Sequence, residues 1–419
     1  MMNRKSFVIA ALTIFVQYYN YHLFGFLAAK IASNFVPSKI VVIQLLNTYF
    51  IMFITMAAKP LGAVILGRIG DIYGRSNSFN VSLTGCAIAA VIISLIPSYE
   101  QIGIYSSFIL LLARMAICTL VSSGSDGVRI YIYEHIGKEK ECLSMGLSVV
   151  FTHSGSLVAS MSAWFFTLDF MPNYSWRIAF LLGSIMCLIL IYYKMKFQIK
   201  DQVDIKKSLN FESFKDLSIK KIVQKNIRLF LYCTILAGAI GSTNQFFIIF
   251  FSTYNFEILK NISRSHMQFY NIIAIFLYIL FGIIAGYVGD RFNRYKVVNI
   301  AIIFILILSL CHIYVLSSSA INVPLFFLSS ASLPFVTIPA TAILAGSIPV
   351  ALRYRILSLS HAVGSILISA PTAFLSALLY YKTKIAYLPI MYFIITIIML
   401  SLSLKFLKKT SDENKIPVG

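Results

Sequence analysis

The chain has 419 residues, 59% hydrophobic and 12% charged, with a mean hydropathy of +0.84. That balance excludes a soluble globular domain, and apolar stretches of about 20 residues without ten-residue alternation exclude a β-barrel in favour of spanning helices. The formal charge of +20 falls in short segments in alternate loops, which fits positive-inside topology and argues against nucleic-acid binding. The expected fold is all-α integral membrane, with twelve transmembrane helices in two six-helix pseudo-repeats. Both termini are expected on the cytoplasmic side of a bacterial inner membrane, since an abundance of Ile, Lys, Asn, Phe and Tyr suggests an AT-rich bacterial genome.

The first span, residues 7–29, follows Arg4-Lys5 with no A-x-A cleavage pattern and reads as a retained helix. Its centre, Gln17-Tyr18-Tyr19-Asn20-Tyr21-His22, is costly against lipid and is expected to line a cavity. The second span, 47–66, carries Lys59-Pro60-Leu61-Gly62 and leads into the turn Gly67-Arg68-Ile69-Gly70-Asp71-Ile72-Tyr73-Gly74-Arg75. The third, 79–96, holds little beyond packing residues. The fourth, 103–133, is the most charged, with Arg114, Asp126 and Arg129 ahead of Glu134. Charge inside a membrane costs about 2.5–3.5 kcal/mol per residue, so these groups need partners or a function. Asp126 and Arg129, three apart, can neutralise one another. Arg114 lies about 18 Å along the axis from Asp126 and needs another partner, with an anionic substrate group as one candidate.

The fifth span, 143–168, contains His153-Ser154-Gly155, and Trp176-Arg177 opens the sixth as an expected interfacial anchor. A lysine-rich stretch separates the halves, giving an N-terminal bundle at 1–196, a cytoplasmic linker at 197–226 and a C-terminal bundle at 227–419. In the second half, Asn244-Gln245 interrupts an apolar span and is a candidate cavity wall. Asn271 precedes a second turn, Gly286-Tyr287-Val288-Gly289-Asp290-Arg291-Phe292-Asn293-Arg294. His312 is expected to be structural, Pro334 and Pro339 to break the tenth span, and His361 to face the cavity from the eleventh. The six cysteines lie singly and read as free thiols.

Both turns read G-x-x-G-D-x-x-x-R, with starts 219 positions apart (286 minus 67), the mark of internal repeats. The first resembles the signature loop of the major facilitator superfamily. The first-span motif, Lys59-Pro60-Leu61-Gly62, Trp176-Arg177 and Pro349-Val350-Ala351-Leu352-Arg353-Tyr354 resemble the metabolite:proton symporter family of that superfamily, which includes proline/betaine and dicarboxylate transporters. The resemblance implies two halves rocking about a central site, with Gly67, Gly70, Asp71, Gly74, Arg75, Gly286, Gly289, Asp290 and Arg294 as the mechanical joints. It also locates departures: Gln17 and Asn20 stand where the family has acids, Gly124 stands where it has a Glu, and His361 stands where Tyr is usual.

The function expected from this resemblance is secondary active transport of a small polar metabolite, a zwitterion such as proline or betaine or a carboxylate, coupled to protons. Alternatives are an uncoupled facilitator or exchanger, and a non-transporting receptor. The expected cavity residues are Tyr18, Asn20, His22, Arg114, Asn244, Gln245 and His361; His22, Asp126 and Glu134 are the proton-coupling candidates. No nucleophile–base constellation or metal-ligand spacing is found, so neither enzyme activity, metal nor cofactor is expected. The expected partners are substrate, protons and lipid, with the protein a monomer.

Overall fold

The computed structural model describes residues 4–36, 40–62, 65–66, 75–136, 138–196, 224, 226–317 and 321–413. The first glycine-rich turn, with Gly67, Gly70, Asp71 and Gly74, and nearly all of the expected linker lie outside the described residues, as do the side chains of Arg75 and Glu134. Among the described residues every regular element is a helix, as a bilayer requires, because helices satisfy their backbone groups internally.

The chain forms α1 (Arg4–Phe26, continued past Leu27 by Ala28–Phe35), α2 (Val41–Met56), α3 (Arg75–Leu95), α4 (Ile104–Ile136), α5 (Glu141–Phe165) and α6 (Trp176–Lys196). The second half begins with α7 (Ile227–Asn244), which runs on through two π-helical stretches, Gln245–Phe250 and Tyr254–Leu259. It continues with α8 (Arg264–Arg291), α9 (Arg294–Ser317) and α10 (Val323–Gly346). Next comes α11 (Val350–Gly364, then a π turn at Ser365–Ser369 and Pro371–Thr383), and α12 (Leu388–Glu413) closes the fold. Ten of these spans are long and apolar enough to cross a membrane. The other two are α3, whose apolar part is Asn80–Leu95, and α1, whose apolar run is interrupted by its polar centre.

The helix pairings repeat. α1 packs on α5 as α7 packs on α11, and α3 packs on α6 as α9 packs on α12. Across the molecule α5 packs on α8, the most extensive contact among the described helices, and its counterpart is α11 on α2. This is the two-fold relation expected of two six-helix repeats.

Three sequence expectations change. The first span extends to Phe35 instead of ending near residue 29, because backbone bonds continue through Leu27 to Ile31. The tenth span runs unbroken through Pro334 and Pro339, held by close packing against α8 and α9. Trp176 is not a lipid-facing anchor: it is 1% exposed, edge-on to Phe35 and Phe180. Its neighbour Arg177 donates to the carbonyls of Ser94 and Ile96 at 2.8 and 2.6 Å, satisfying the end of α3.

Within each half, glycine permits backbone-to-backbone approach where a larger residue would not fit. A Cβ at Gly364 on α11 would stand 2.3 Å from the Thr234 carbonyl oxygen on α7, and one at Gly238 would stand 2.5 Å from the Gly364 oxygen. The matching α1–α5 contact has Gly155 against the Phe15 carbonyl oxygen at 2.1 Å. Gly364→Val is therefore expected to destabilise the protein by about 1–3 kcal/mol through overpacking, seen as a lower melting temperature in detergent. Gly282→Ala, whose added carbon would meet only side chains at 3.5 and 3.6 Å, should melt like the parent.

Candidate functional site

The surface shared by the two halves divides into a seal at the end carrying Arg291, Arg294, Lys296 and Arg353, a polar centre, and a seal at the opposite end. At the basic end, α5 and α8 approach so closely that a Cβ at Gly286 would lie 3.0 Å from the Leu143 Cα, and one at Gly289 would lie 2.9 Å from the Cys142 Sγ. The Asp290 carboxylate accepts the backbone N–H groups of Cys142 and Leu143, each at 2.8 Å. These are unpaired donors in the first turn of α5, where an anion also meets the positive end of the helix dipole. Arg294 pairs with Glu141 and lies 3.7 Å from Asp290, so a carboxylate–guanidinium–carboxylate chain crosses the seam. Arg353 of α11 covers the Tyr133 ring of α4 at 5.1 Å.

In the centre, Asp126 of α4 reaches across the interface. Its carboxylate lies 3.1 Å from Nδ1 of His361 on α11 and 3.5 Å from Nη1 of Arg129. The expected local Asp126–Arg129 pair is thus present, but it is one part of a contact between the halves. His153 stacks on Tyr278 with centroids 4.3 Å apart, again across the interface, and the Tyr278 hydroxyl bonds Thr337 at 2.7 Å. Asn244 lies within reach of His153, and Gln245 within reach of Tyr21.

The aromatic stretch of α1 divides in two. Tyr18, Tyr21 and His22 form a cluster with ring centroids 5.1–6.0 Å apart, and His22 Nδ1 is hydrogen-bonded to Ser156 of α5. Gln17 and Asn20 point elsewhere: Gln17 donates to Ser82 at 2.8 Å, and the Asn20 amide meets the carbonyls of Val16 and Gly183 at 3.1 and 3.3 Å. Asn20 therefore ties α1 to α6. Arg114 is 1% exposed, not open to a cavity. Its Nη1 donates to the Tyr21 carbonyl at 2.7 Å, and its guanidinium lies over the Tyr21 and Phe24 rings at 4.7 and 4.8 Å. Cation–π contact and a backbone acceptor thus stabilise the buried charge without an acid. Lys59 also lies over the Tyr21 ring, at 5.2 Å.

Several buried polar atoms here lack a protein partner: Arg114 Nε, His153 Nε2, Asn244 Oδ1, Gln245 Oε1 and Asn271 Oδ1. Such atoms are costly in a dry interior and mark where a polar solute or water is accommodated. A small pocket with room for about one water lies beside Asn271, with Ser160, Ser252, Thr253 and Gln268 among its polar lining and Phe26 and Phe256 among its apolar lining. The opposite end is closed by Phe53 stacked on Phe374, Tyr49 edge-on to Phe250, and Thr167 bonded to Gln268 at 3.2 Å. The two halves therefore touch at both ends of a polar interior.

His312 sits apart, bonded to Ser329 at 3.0 Å among Phe247 and Phe251. Among the described residues no group of three or more His, Cys, Asp or Glu is placed to hold a metal ion. Sequence reasoning passed over Tyr278, Ser156 and Glu141. Glu141 opens a helix with no local signal of its partner Arg294, 153 positions away; Tyr278 and Ser156 are unremarkable in apolar runs.

The family model described as Major Facilitator Superfamily matches residues 10–371. The chain belongs to the major facilitator superfamily. It is 25% identical to the glycine betaine/proline/ectoine/pipecolic acid transporter of Dickeya dadantii, over 98% of this chain and 84% of the relative. It is 24% identical to the proline/betaine transporter of Escherichia coli K12, with the same coverage. Among solved structures, a D-xylose–proton symporter superposes with a TM-score of 0.72 at 14% identity, covering 96% of each chain. A human organic anion transporter superposes with a TM-score of 0.67 at 12% identity, covering 95% of this chain and all of the other. These likenesses confirm the facilitator fold and the resemblance read from the sequence motifs.

The Asp290 contact yields a direct expectation. Asp290→Asn removes the charge and one of the acceptors capping α5, and hydrogen bonds to charged groups contribute about 1.5–3 kcal/mol. Modification of the buried Cys142 thiol by a maleimide should accelerate by about tenfold or more. An unchanged rate would mean that this cap does not hold the basic end shut.

Proposed function

We propose that this protein is a secondary transporter of the major facilitator superfamily that moves a small polar metabolite by alternating access. The observation that carries the reading is the polar interior between two halves that meet at both ends, with unpartnered polar atoms of α5, α7 and α8 turned into it. The multi-pass architecture and the family support a transporter and not an enzyme. The substrate class is that of the named relatives, zwitterions such as proline and betaine, with small carboxylates as the second class. Tyr18, His22, Asn244, Gln245 and His361 form the wall that meets it, while Arg114 and Asn20 hold α1 in place behind that wall.

In this reading the protein is a monomer in a bacterial inner membrane, with both termini on the cytoplasmic side, so that the basic end faces the cytoplasm. The bundles are 1–196 and 227–419, and the glycine-rich turns, Gly67 to Arg75 and Gly286 to Arg294, act as joints. Transport is coupled to protons through groups drawn from His22, Asp126 and Glu134, a set that the His361 contact enlarges. The second reading, an uncoupled facilitator, is favoured by one observation: Gln17 and Asn20 are amides committed to structural bonds and cannot titrate.

Uptake by proteoliposomes decides between them. With proline, betaine and small dicarboxylates as probes, the parent should accumulate at least one solute when an inward proton gradient is imposed and merely equilibrate it when the gradient is collapsed. Equilibration without accumulation in both conditions would establish the facilitator. Binding of a solute without any flux would establish a receptor.

A further inference from the structure

We propose that His361 and Asp126 together form the proton-binding site of this transporter, a latch between the halves that is strongest when His361 is protonated. The proposal rests on the transport reading for its role in coupling, but the latch itself is a property of the pair. Asp126 belongs to the first half and His361 to the second, 235 positions apart, and their side chains meet at 3.1 Å. Asp126 is almost wholly buried, whereas the His361 side chain keeps 26% of its surface exposed. The arrangement assigns the atoms their roles. Nδ1–H of His361 donates to the Asp126 carboxylate, which fixes the tautomer, so Nε2 is the nitrogen that takes up the proton. Protonation converts a hydrogen bond between the halves into a charge-assisted one without moving a heavy atom.

The surroundings keep that proton exchangeable. The charged groups facing Asp126 are Arg129 on α4 and Lys59, three residues beyond α2, besides His361 itself, and both oppose a further positive charge. On α7, which packs on this part of α11 through Gly238 and Gly364, the titratable residue nearest in sequence is Cys233, and the nearest charge is Arg228 toward the basic end. α10 has no charged residue between Val323 and Gly346. On α5, His153 lies within electrostatic reach of Arg129. Protonation tightens the α4–α11 contact, and closure in turn favours the proton, because linkage between two binding events is reciprocal. When the basic end opens, α4 and α11 part, the imidazolium loses its carboxylate, and the proton leaves to the side then exposed. The bond formed is N–H at Nε2 from a solvent proton; its reversal returns that proton to solvent.

The latch is tested without knowing the substrate. Cys142 is buried in the seam that opens with this end, so its maleimide labelling, read by peptide mass spectrometry and normalised to unfolded protein at the same pH, reports opening. In the parent, normalised labelling should rise by about fivefold between pH 5.5 and pH 8, the worth of one charge-assisted over one neutral hydrogen bond. In His361→Gln, which keeps a donor and cannot titrate, labelling should be the same at both pH values. Asp126→Asn should abolish the dependence as well, and His22→Gln and His153→Gln should retain it. A parent with no pH dependence, or a dependence that survives His361→Gln or disappears in His22→Gln, overturns the proposal. Gradient-driven uptake separates the two levels. Failure of the parent to move any probe solute removes the transport reading and leaves the latch to the labelling data, whereas accumulation of proline or betaine in His361→Gln at the parental level contradicts the assignment of the proton site.

Discussion

The approach of α5 to α8 is the constraint on which the rest of the structure depends. Helices from different halves of the chain come within backbone contact because Gly146, Gly286 and Gly289 put no side chain between them. A seam of this kind has little interdigitation, so it separates without repacking a core, and its hold must come from discrete polar contacts at its end. Asp290 supplies these by accepting two N–H groups of α5, and Arg294 adds a link to Glu141. The architecture gives a joint that is tight when shut and free of entangled side chains when open.

The interior follows a second rule, that charge inside a membrane must be met locally. Arg114 is met by a carbonyl and two aromatic faces, and Asp126 by a guanidinium and an imidazole. The first of these lies within one half and serves the fold. The second crosses between halves, so its strength changes whenever the halves move. The distinction between structural and functional charge in this protein is therefore one of connectivity: both are buried, and only one is coupled to motion. The π-helical stretches at Gln245–Phe250 and Ser365–Ser369 place irregular backbone in α7 and α11, the helices that carry Gln245 and His361, and such turns often accompany functional sites.

Much of this was legible in the sequence because lipid is a strict solvent. Apolar stretches of membrane length fixed the spans, the paired motifs disclosed the repeat, and the second motif lies where expected, across the last turn of α8 and the start of α9. What stayed hidden was where long side chains end. Nothing near Arg114 in sequence points to the Tyr21 carbonyl, 93 positions away, and the polar centre of α1 reads as one face although Gln17 and Asn20 turn to α3 and α6 while Tyr18 and His22 do not. Trp176 has the composition of an interfacial anchor, yet Phe35 covers it because the first span runs a further two turns. The Asp126–Arg129 spacing satisfied a local pairing rule and so concealed the partner that matters across the interface, His361.

The central claim, that the α5–α8 seam must part for a solute to cross, has a chemical test in the seam itself. A Cβ at position 289 would lie 3.0 Å from the Cys142 Cβ, so widening the seam by about 0.5 Å brings the pair to the Cβ separation of a disulfide. Gly289→Cys should therefore oxidise to a bridge with Cys142 that ties α8 to α5. Solute flux through proteoliposomes of that variant should be lost on oxidation and return on reduction with dithiothreitol. Undiminished flux in fully bridged protein would show that the seam stays closed throughout transport and would contradict the account.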